Sequence, residues 1–109
     1  MPDIENFHAH IYFDPQQVEA AQALASEAQR QFGVAVGRFH TRPVGPHPRG
    51  SCQLTVAPDS FGPFAAWAAL NRGALTIFTH ANTGHDLADH TAHVIWFGES
   101  EPLNLSIFG

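Results

Sequence analysis

Apolar and polar residues alternate strictly along residues 7–13, which read FHAHIYF. One face of the strand that this pattern predicts carries only apolar side chains, those of Phe7, Ala9, Ile11 and Phe13. The opposite face carries His8, His10 and Tyr12. Alternation of this kind is typical of a strand that buries one face against a core.

Residues 15–32 change to helical spacing, with small and apolar residues recurring every three or four positions. Asp14 and Pro15 are the residue types that favour the start of a helix, as its N-cap and its first helical position. Gly33 follows the last apolar position and is the residue that a left-handed helix end favours. The sequence therefore predicts a helix from Pro15 to Phe32.

Two further strands follow, joined by a loop dense in proline and glycine. Residues 34–40 (VAVGRFH) predict the first, in which Val36, Arg38 and His40 share a face. Residues 41–50 (TRPVGPHPRG) predict the loop, and residues 51–57 (SCQLTVA) alternate again as a third strand.

A second helix is predicted to begin at Asp59 or Ser60 and to end at Gly73. Residues 74–80 predict a fourth strand, residues 81–91 a polar loop, and residues 93–97 a fifth strand. The order β-α-β-β-α-β with an extra C-terminal strand is the ferredoxin-like α+β plan.

Two helices in this plan cover one face of the antiparallel sheet and leave the other face open. A sheet with large apolar side chains such as Phe78 or Leu54 needs a second layer, and another copy of the chain is the simplest source. We therefore expect a homodimer whose sheets pack face to face as a dimeric α+β barrel.

Composition narrows the class of protein. The chain has 109 residues, enough for one domain spanning residues 1–109, and 44% of them are hydrophobic. Ten acidic residues face five basic ones, all arginine, so the net charge of −5 argues against nucleic acid or membrane as a partner. Cys52 is the only cysteine, which excludes an intrachain disulfide. With no targeting segment or apolar span, we expect a cytoplasmic location.

Eight histidines outnumber the five arginines. His8 and His10 point to the open face, and the same alternation gives them polar neighbours on the other strands: Arg38, His40, Gln53, Thr55, Thr76 and His80. A buried polar group without a partner costs about 1–3 kcal/mol, so apolar packing disfavours this composition and a ligand site favours it. Two histidines separated by one residue on a strand lie about 6.5–7 Å apart, from a rise of about 3.3 Å per residue, and can converge on one metal ion.

Structural alternatives exist for each of these residues. A His-x-His pair on a strand can be incidental, His47 between Pro46 and Pro48 can be a turn residue, and His80 can be a satisfied polar group at a strand end. The loop histidines His85, His90 and His93 fit a solvated acidic loop nearly as well as a binding lid. Cys52 is interpreted as a buried structural thiol rather than a nucleophile. Imidazole ligation suits zinc, copper, iron or nickel.

Four segments in order, FHAHIYF, PVGPHP, LTIFTHANTG followed by DLADHT, and VIWFGE, resemble the DOPA 4,5-dioxygenase family. The resemblance runs from Phe7 to Leu105. It implies a dimeric ferredoxin-like α+β domain with a non-haem metal, ferrous iron, that cleaves a catechol such as DOPA or a related catecholic acid with dioxygen in the extradiol manner. Zinc or another divalent ion is the alternative metal.

The same resemblance implies roles for individual residues. Metal binding falls first to His10, His47 and His80, with His8 as a fourth ligand or an acid/base group. If the chain cleaves a catechol, we further expect His8 or His90 to accept the catechol proton, and Tyr12 to donate to bound oxygen or stabilise the sheet. Arg38 would pair with a substrate carboxylate or form a surface salt bridge.

Two positions depart from the family pattern. His85 stands where an acidic residue or asparagine is expected, and Gln53 stands where a carboxylate would complete a two-histidine, one-carboxylate triad. The site is therefore expected to use three or four histidines, or to take Asp86, Asp89 or Glu5 from a loop. A binding protein that holds a metal or an aromatic ligand without turnover is the alternative function.

Overall fold

The computed structural model describes residues 3–109. Its strands are β1 (Asn6–Tyr12), β2 (Ala35–His40), β3 (Ser51–Val56), β4 (Thr76–Asn82) and β5 (Val94–Phe97). Its helices are α1 (Val18–Phe32), α2 (Pro58–Asn71) and α3 (Asp86–Thr91), with 3-10 turns at Pro15–Gln17 and Leu105–Phe108. The predicted strands and the two longer helices are all present.

The five strands form one antiparallel sheet in the order β2-β3-β1-β4-β5. The first four strands have the ferredoxin-like arrangement, and β5 extends the sheet beside β4. This confirms the predicted α+β fold and puts β1, with its histidines, at the centre of the sheet.

The side of the sheet against α1 and α2, here called the helix face, holds the hydrophobic core. Ala9, Ile11 and Phe13 are buried there with Leu54 and Phe64. Gly33 ends α1 in the left-handed conformation with φ of 67°, as its position predicted. α2 begins at Pro58, slightly before the predicted start, because proline fits the first helical position.

A bulge in β2 corrects the predicted face of Val36. The pairing with β3 shifts register between Val36 and Phe39, and both of these side chains pack against the core. Arg38 and His40 instead line a pocket beside His10. The irregularity includes Gly37, where a Cβ would lie 3.2 Å from the Gln53 carbonyl oxygen.

Residues 81–91, which were predicted to form a polar loop, are only partly a loop. The last six of these residues form α3, and the start of the segment continues β4 to Asn82. The sequence pattern missed α3 because a helix of less than two turns shows too few repeats to reveal a period.

The second side of the sheet, here called the site face, is covered by the chain itself. His47, from the loop at residues 41–50, is buried over it, and the Asn104 amide donates to the Pro46 carbonyl. Phe108 packs on His90 of α3, with ring centroids 4.5 Å apart. Phe78 is consequently fully buried without a second copy, while Leu54 lies on the helix face. The homodimer stays a prediction, but burial of Phe78 no longer argues for it.

Among residues 3–109, no helix combines the length and the apolar character needed to cross a membrane.

Candidate metal centre

Three histidines meet on the site face at the junction of β1 and β4. His8 pairs directly with His80 across the two strands, and His10 is the next residue of β1 on the same face. One ring nitrogen from each of the three lies within 4.8 Å of the others. His10 Nε2 and His80 Nε2 are 3.2 Å apart.

The 3.2 Å distance between His10 Nε2 and His80 Nε2 fits a metal ion bound by both residues. Two nitrogens bound to one ion at about 2.0–2.1 Å, at angles near 90–110°, lie about 2.9–3.4 Å apart. His80 Nδ1 donates to the Ala81 carbonyl at 3.1 Å, which leaves the Nε2 lone pair directed at the cluster. A second hydrogen bond of this kind is typical of metal-ligating histidines, because it fixes the tautomer and the ring orientation.

The three imidazoles are held in the neutral form that a metal requires. Burial lowers the pKa of His10 well below its ordinary value, and neighbouring histidines lower it further. Burial also lowers the pKa of His80 to about 4, against the opposing effect of the Ala81 carbonyl. The pKa of His8 is lowered by burial and by His90. A neutral imidazole retains the lone pair that ligates a metal.

His47 lies beside this group rather than within it. Its ring centroid is 4.1 Å from that of His10, and its Nδ1 shares a 2.7 Å hydrogen bond with the Tyr12 hydroxyl. Burial, with smaller contributions from His90 and His80, lowers the pKa of His47 to about 4. The flanking prolines and Tyr12 thus hold His47 in one orientation next to the three histidines.

Tyr12 is fully buried, and its hydroxyl points to His47. Burial, together with Glu101, raises the pKa of this phenol, so it stays protonated at neutral pH. Tyr12 was expected either to donate to bound oxygen or to support the sheet. Its hydrogen bond with His47 points to a different role, which is to orient the His47 ring.

His90 covers the other end of the group. Its ring centroid lies 4.0 Å from that of His80, and its Nδ1 donates to the Asp86 carbonyl at 2.7 Å within α3. The remaining loop histidines are elsewhere: His85 is exposed at the N-cap of α3, and His93 pairs with Asp89.

The nearby acids do not reach the three histidines. No carboxylate among residues 3–109 forms a salt bridge or hydrogen bond with His8, His10 or His80. Gln53 instead places its amide nitrogen 3.3 Å from His8 Nε2. Glu5 and Asp86 line a pocket of about 260 Å³ on the far side of His8.

Asp89 forms its side-chain hydrogen bonds with Thr83 and His93. Its carboxylate accepts from the Thr83 amide and hydroxyl, each at 2.7 Å, and from His93 Nδ1 at 2.8 Å. Burial would raise the pKa of Asp89, but these hydrogen bonds outweigh it and lower the pKa to about 2. Asp89 therefore anchors the segment between β4 and β5, and it forms no hydrogen bond with His8, His10 or His80.

A pocket of about 320 Å³ opens beside the histidines toward β2. Its lining includes His10 and His47 at one end and Arg38 and His40 at the other. This volume is at the small end of ordinary ligand sites and suits a single aromatic ring with a short side chain.

The sequence matches the Dopa 4,5-dioxygenase family over residues 7–107. The chain belongs to this family. It is 35% identical, over 95% of its length, to a DOPA 4,5-dioxygenase from Amanita muscaria, and 34% identical, over 93% of its length, to an uncharacterized 21.2 kDa protein from Botryotinia fuckeliana. It covers 50% and 62% of those two proteins, respectively.

The structure of this family member is also similar to a crystal structure from Nostoc punctiforme, of a protein provisionally described as a dioxygenase. The two share 36% sequence identity and superpose with a TM-score of 0.91, over 94% of this chain and 90% of that one. Both the fold and its family assignment are thereby confirmed.

The sequence analysis did not identify two aromatic residues near the histidines, Trp96 and Phe108. Trp96 pairs with Phe78 across β4 and β5, with ring centroids 4.6 Å apart, and alternation along residues 93–97 gave a signal that could have found it. Phe108, which packs on His90, lies in an irregular segment where no periodicity exists to reveal it.

Proposed function

We propose that this chain is a metal-dependent extradiol dioxygenase that cleaves a catechol, such as DOPA or a related catecholic acid. The observation that carries the proposal is the convergence of His8, His10 and His80, with nitrogens within 4.8 Å, beside a pocket sized for one aromatic ring. The family assignment supports it, because a relative in the same family is a DOPA 4,5-dioxygenase.

His8, His10 and His80 would hold the metal, which we infer to be ferrous iron, although the imidazole set also accepts zinc and other divalent ions. When bound, the metal supplies Lewis acidity toward the two catechol oxygens and a path for electrons between ring and dioxygen. His47, which was also expected to be a ligand, is not assigned to the metal here, because, among residues 3–109, only His8, His10 and His80 have ring nitrogens within 4.8 Å of one another.

His90 is the proton acceptor in this proposal. Its Nδ1 donates to the Asp86 carbonyl, so the neutral ring has its lone pair on Nε2. A catechol must lose protons to chelate a metal, and the ring of His90, whose centroid is 4.0 Å from that of His80, is positioned to accept one. His8, the other candidate, is used as a ligand and is therefore less available as a base.

Aromatic side chains shape the rest of the site. Phe78 and Trp96 form an apolar wall beside the histidines, and Phe108 covers His90. His10 and His80 are buried beside Phe78, and excluding water from buried groups strengthens the electrostatic interactions between them.

The proposal is tested by loading the protein with ferrous iron under anaerobic conditions and then adding L-DOPA or caffeate with air. A yellow ring-fission product is expected from the wild type and from the control variant His85→Ala, whose histidine is exposed. His10→Ala should give none. Bound iron with no product from any of several catechols would overturn the enzyme proposal.

A non-catalytic role in binding a metal or an aromatic ligand is the second candidate. It is favoured because, among the described residues, no carboxylate forms a salt bridge or hydrogen bond with these three histidines. X-ray absorption of the iron-loaded protein separates the two, since an enzyme keeps open coordination positions and a storage or structural site fills them with protein ligands.

A further inference from the structure

The five arginines of the chain fall into two groups. Arg30 pairs with Glu27, Arg49 pairs with Glu101 and Asp14, and Arg72 donates to the Leu75 carbonyl. The side chains of Arg38 and Arg42 form no salt bridge or hydrogen bond with any of residues 3–109.

Both unpaired arginines line pockets on the β2 side of the candidate site. Arg38 lines the 320 Å³ pocket that contains His10 and His47. An adjoining pocket of about 470 Å³, which shares Arg38 and His40 with the first, extends to Arg42. The bulge in β2 contributes to this arrangement, because it lets Arg38 face the site while Val36 packs in the core.

Charge is distributed asymmetrically about the three histidines. The pockets on the β2 side have no carboxylate among their lining residues. The pocket on the opposite side, beyond His8, is lined by Glu5, Asp86 and Asp89. An anionic group on a ligand is therefore attracted toward β2 and repelled from α3.

We propose that Arg38 and Arg42 form a subsite for the carboxylate of the substrate, so that the preferred substrate is an aromatic ring with a short anionic side chain. This rests on the proposed function, since it names the end of the catechol that lies away from the metal ligands. A guanidinium group presents a planar pair of donors that matches a carboxylate, and an unpaired one has those donors free.

Binding without turnover tests the subsite independently of the chemistry. Calorimetric titration of the protein with 3-phenylpropanoate and with its neutral amide, 3-phenylpropanamide, needs neither catechol nor dioxygen. We expect the acid to bind about 10-fold or more tightly than the amide, from loss of a charge-assisted hydrogen bond. The preference should decrease as salt is raised, because the arginines are exposed.

Variants then assign the preference to the two arginines. Arg38→Gln, Arg42→Gln and the double variant should weaken binding of the acid and leave binding of the amide unchanged. Arg30→Gln, which alters an exposed arginine on α1, is the matched control and should change neither. Equal affinity of wild type for the acid and the amide, or an undiminished preference in the double variant, would overturn the subsite.

Turnover gives the second readout. With 3-(3,4-dihydroxyphenyl)propanoate, kcat/KM should fall about 10- to 100-fold in the double variant, while 4-ethylcatechol, which lacks the carboxylate, should be cleaved as by wild type. Lack of turnover of both compounds by wild type, with the acid still preferred in binding, would contradict the proposed function and leave the anion subsite standing. Equal losses for both compounds would contradict the subsite.

Discussion

The two faces of β1 differ in what they carry, since one packs into the hydrophobic core and the other holds the candidate metal centre. On the helix face, Ala9 and Ile11 are buried among apolar side chains from both helices. On the site face, His10 and Tyr12 are buried almost as completely, under the 41–50 loop and beside β4. Both faces of β1 are therefore buried, but one is covered by the two helices and the other by the 41–50 loop.

Burial has opposite consequences on the two faces. Removing Ile11 from water is favourable in itself, at roughly 25 cal/mol per Å² of apolar surface. Removing His10 and His80 from water is unfavourable for their charged forms, as their lowered pKa values show. The three neutral imidazoles gathered on this face could bind a metal ion through their lone pairs.

The largest expected effect comes from the site face. His10→Ala removes one of the three proposed ligands and should weaken binding of ferrous or zinc ion by more than about 100-fold, since even groups that only orient a ligand are worth about 10- to 100-fold. Calorimetry measures the affinity, and circular dichroism checks the fold. His85→Ala is the matched control; comparable losses in both variants would refute the ligand assignment.

The helix face should give the reverse pattern. Ile11→Ala removes a fully buried side chain and should lower the free energy of unfolding by about 2–5 kcal/mol, measured by urea denaturation. Metal affinity of the folded fraction should stay close to that of wild type. The exposed Ile4→Ala is the control, and a metal affinity lost in Ile11→Ala at temperatures where the variant is folded would show that the two faces are not independent.

Asp89 links the segment between β4 and β5 to the sheet, and its effect should depend on pH. Asp89→Asn should lower the free energy of unfolding by about 1–3 kcal/mol at pH 7, because buried hydrogen bonds from Thr83 and His93 are lost or weakened.

The folded-state pKa of Asp89, about 2, lies below its ordinary value. Its contribution is therefore complete above about pH 5, using an unfolded pKa of about 3.9, and is lost as pH falls toward 2. Urea denaturation of wild type and variant from pH 7 to pH 2 should show the difference shrinking over this range. A difference that is constant with pH would mean that the carboxylate charge does not matter.

The smallest expected effect belongs to Tyr12→Phe, which keeps the buried ring and removes only the hydroxyl on His47. Stability should fall by about 0.5–1.5 kcal/mol, the usual net value of one hydrogen bond. If Tyr12 orients His47, kcat should also fall while KM for the catechol changes little. Unchanged kcat with reduced stability would limit Tyr12 to supporting the sheet.

Much of the fold was predictable because its signals are local. Alternation along β1 and β3, helical spacing in α1 and the glycine at its end each depend on a few neighbouring residues. The errors occurred where local pattern is weak: the bulge after Val36 changes the face of a strand by one extra residue, and α3 is too short to show a period.

The candidate site was predictable in part. Alternation placed His8, His10 and His80 on one face, and the structure brings their nitrogens together. No pattern could show that Tyr12 would meet His47, thirty-five positions away, or that the C-terminal turn would bring Phe108 onto His90. Such contacts depend on how loops return over the sheet, which no single segment encodes.

The sequence by itself determined the ferredoxin-like order of elements, the chemical identity of the site face and its abundance of imidazoles. Only the tertiary structure decided which histidines converge and that Asp89 is hydrogen-bonded to Thr83. It also decided that, among the described residues, Arg38 and Arg42 are the arginines without a partner. The physical reason is range: secondary structure follows from neighbours along the chain, whereas coordination and charge pairing depend on distances of a few ångströms between residues far apart in sequence.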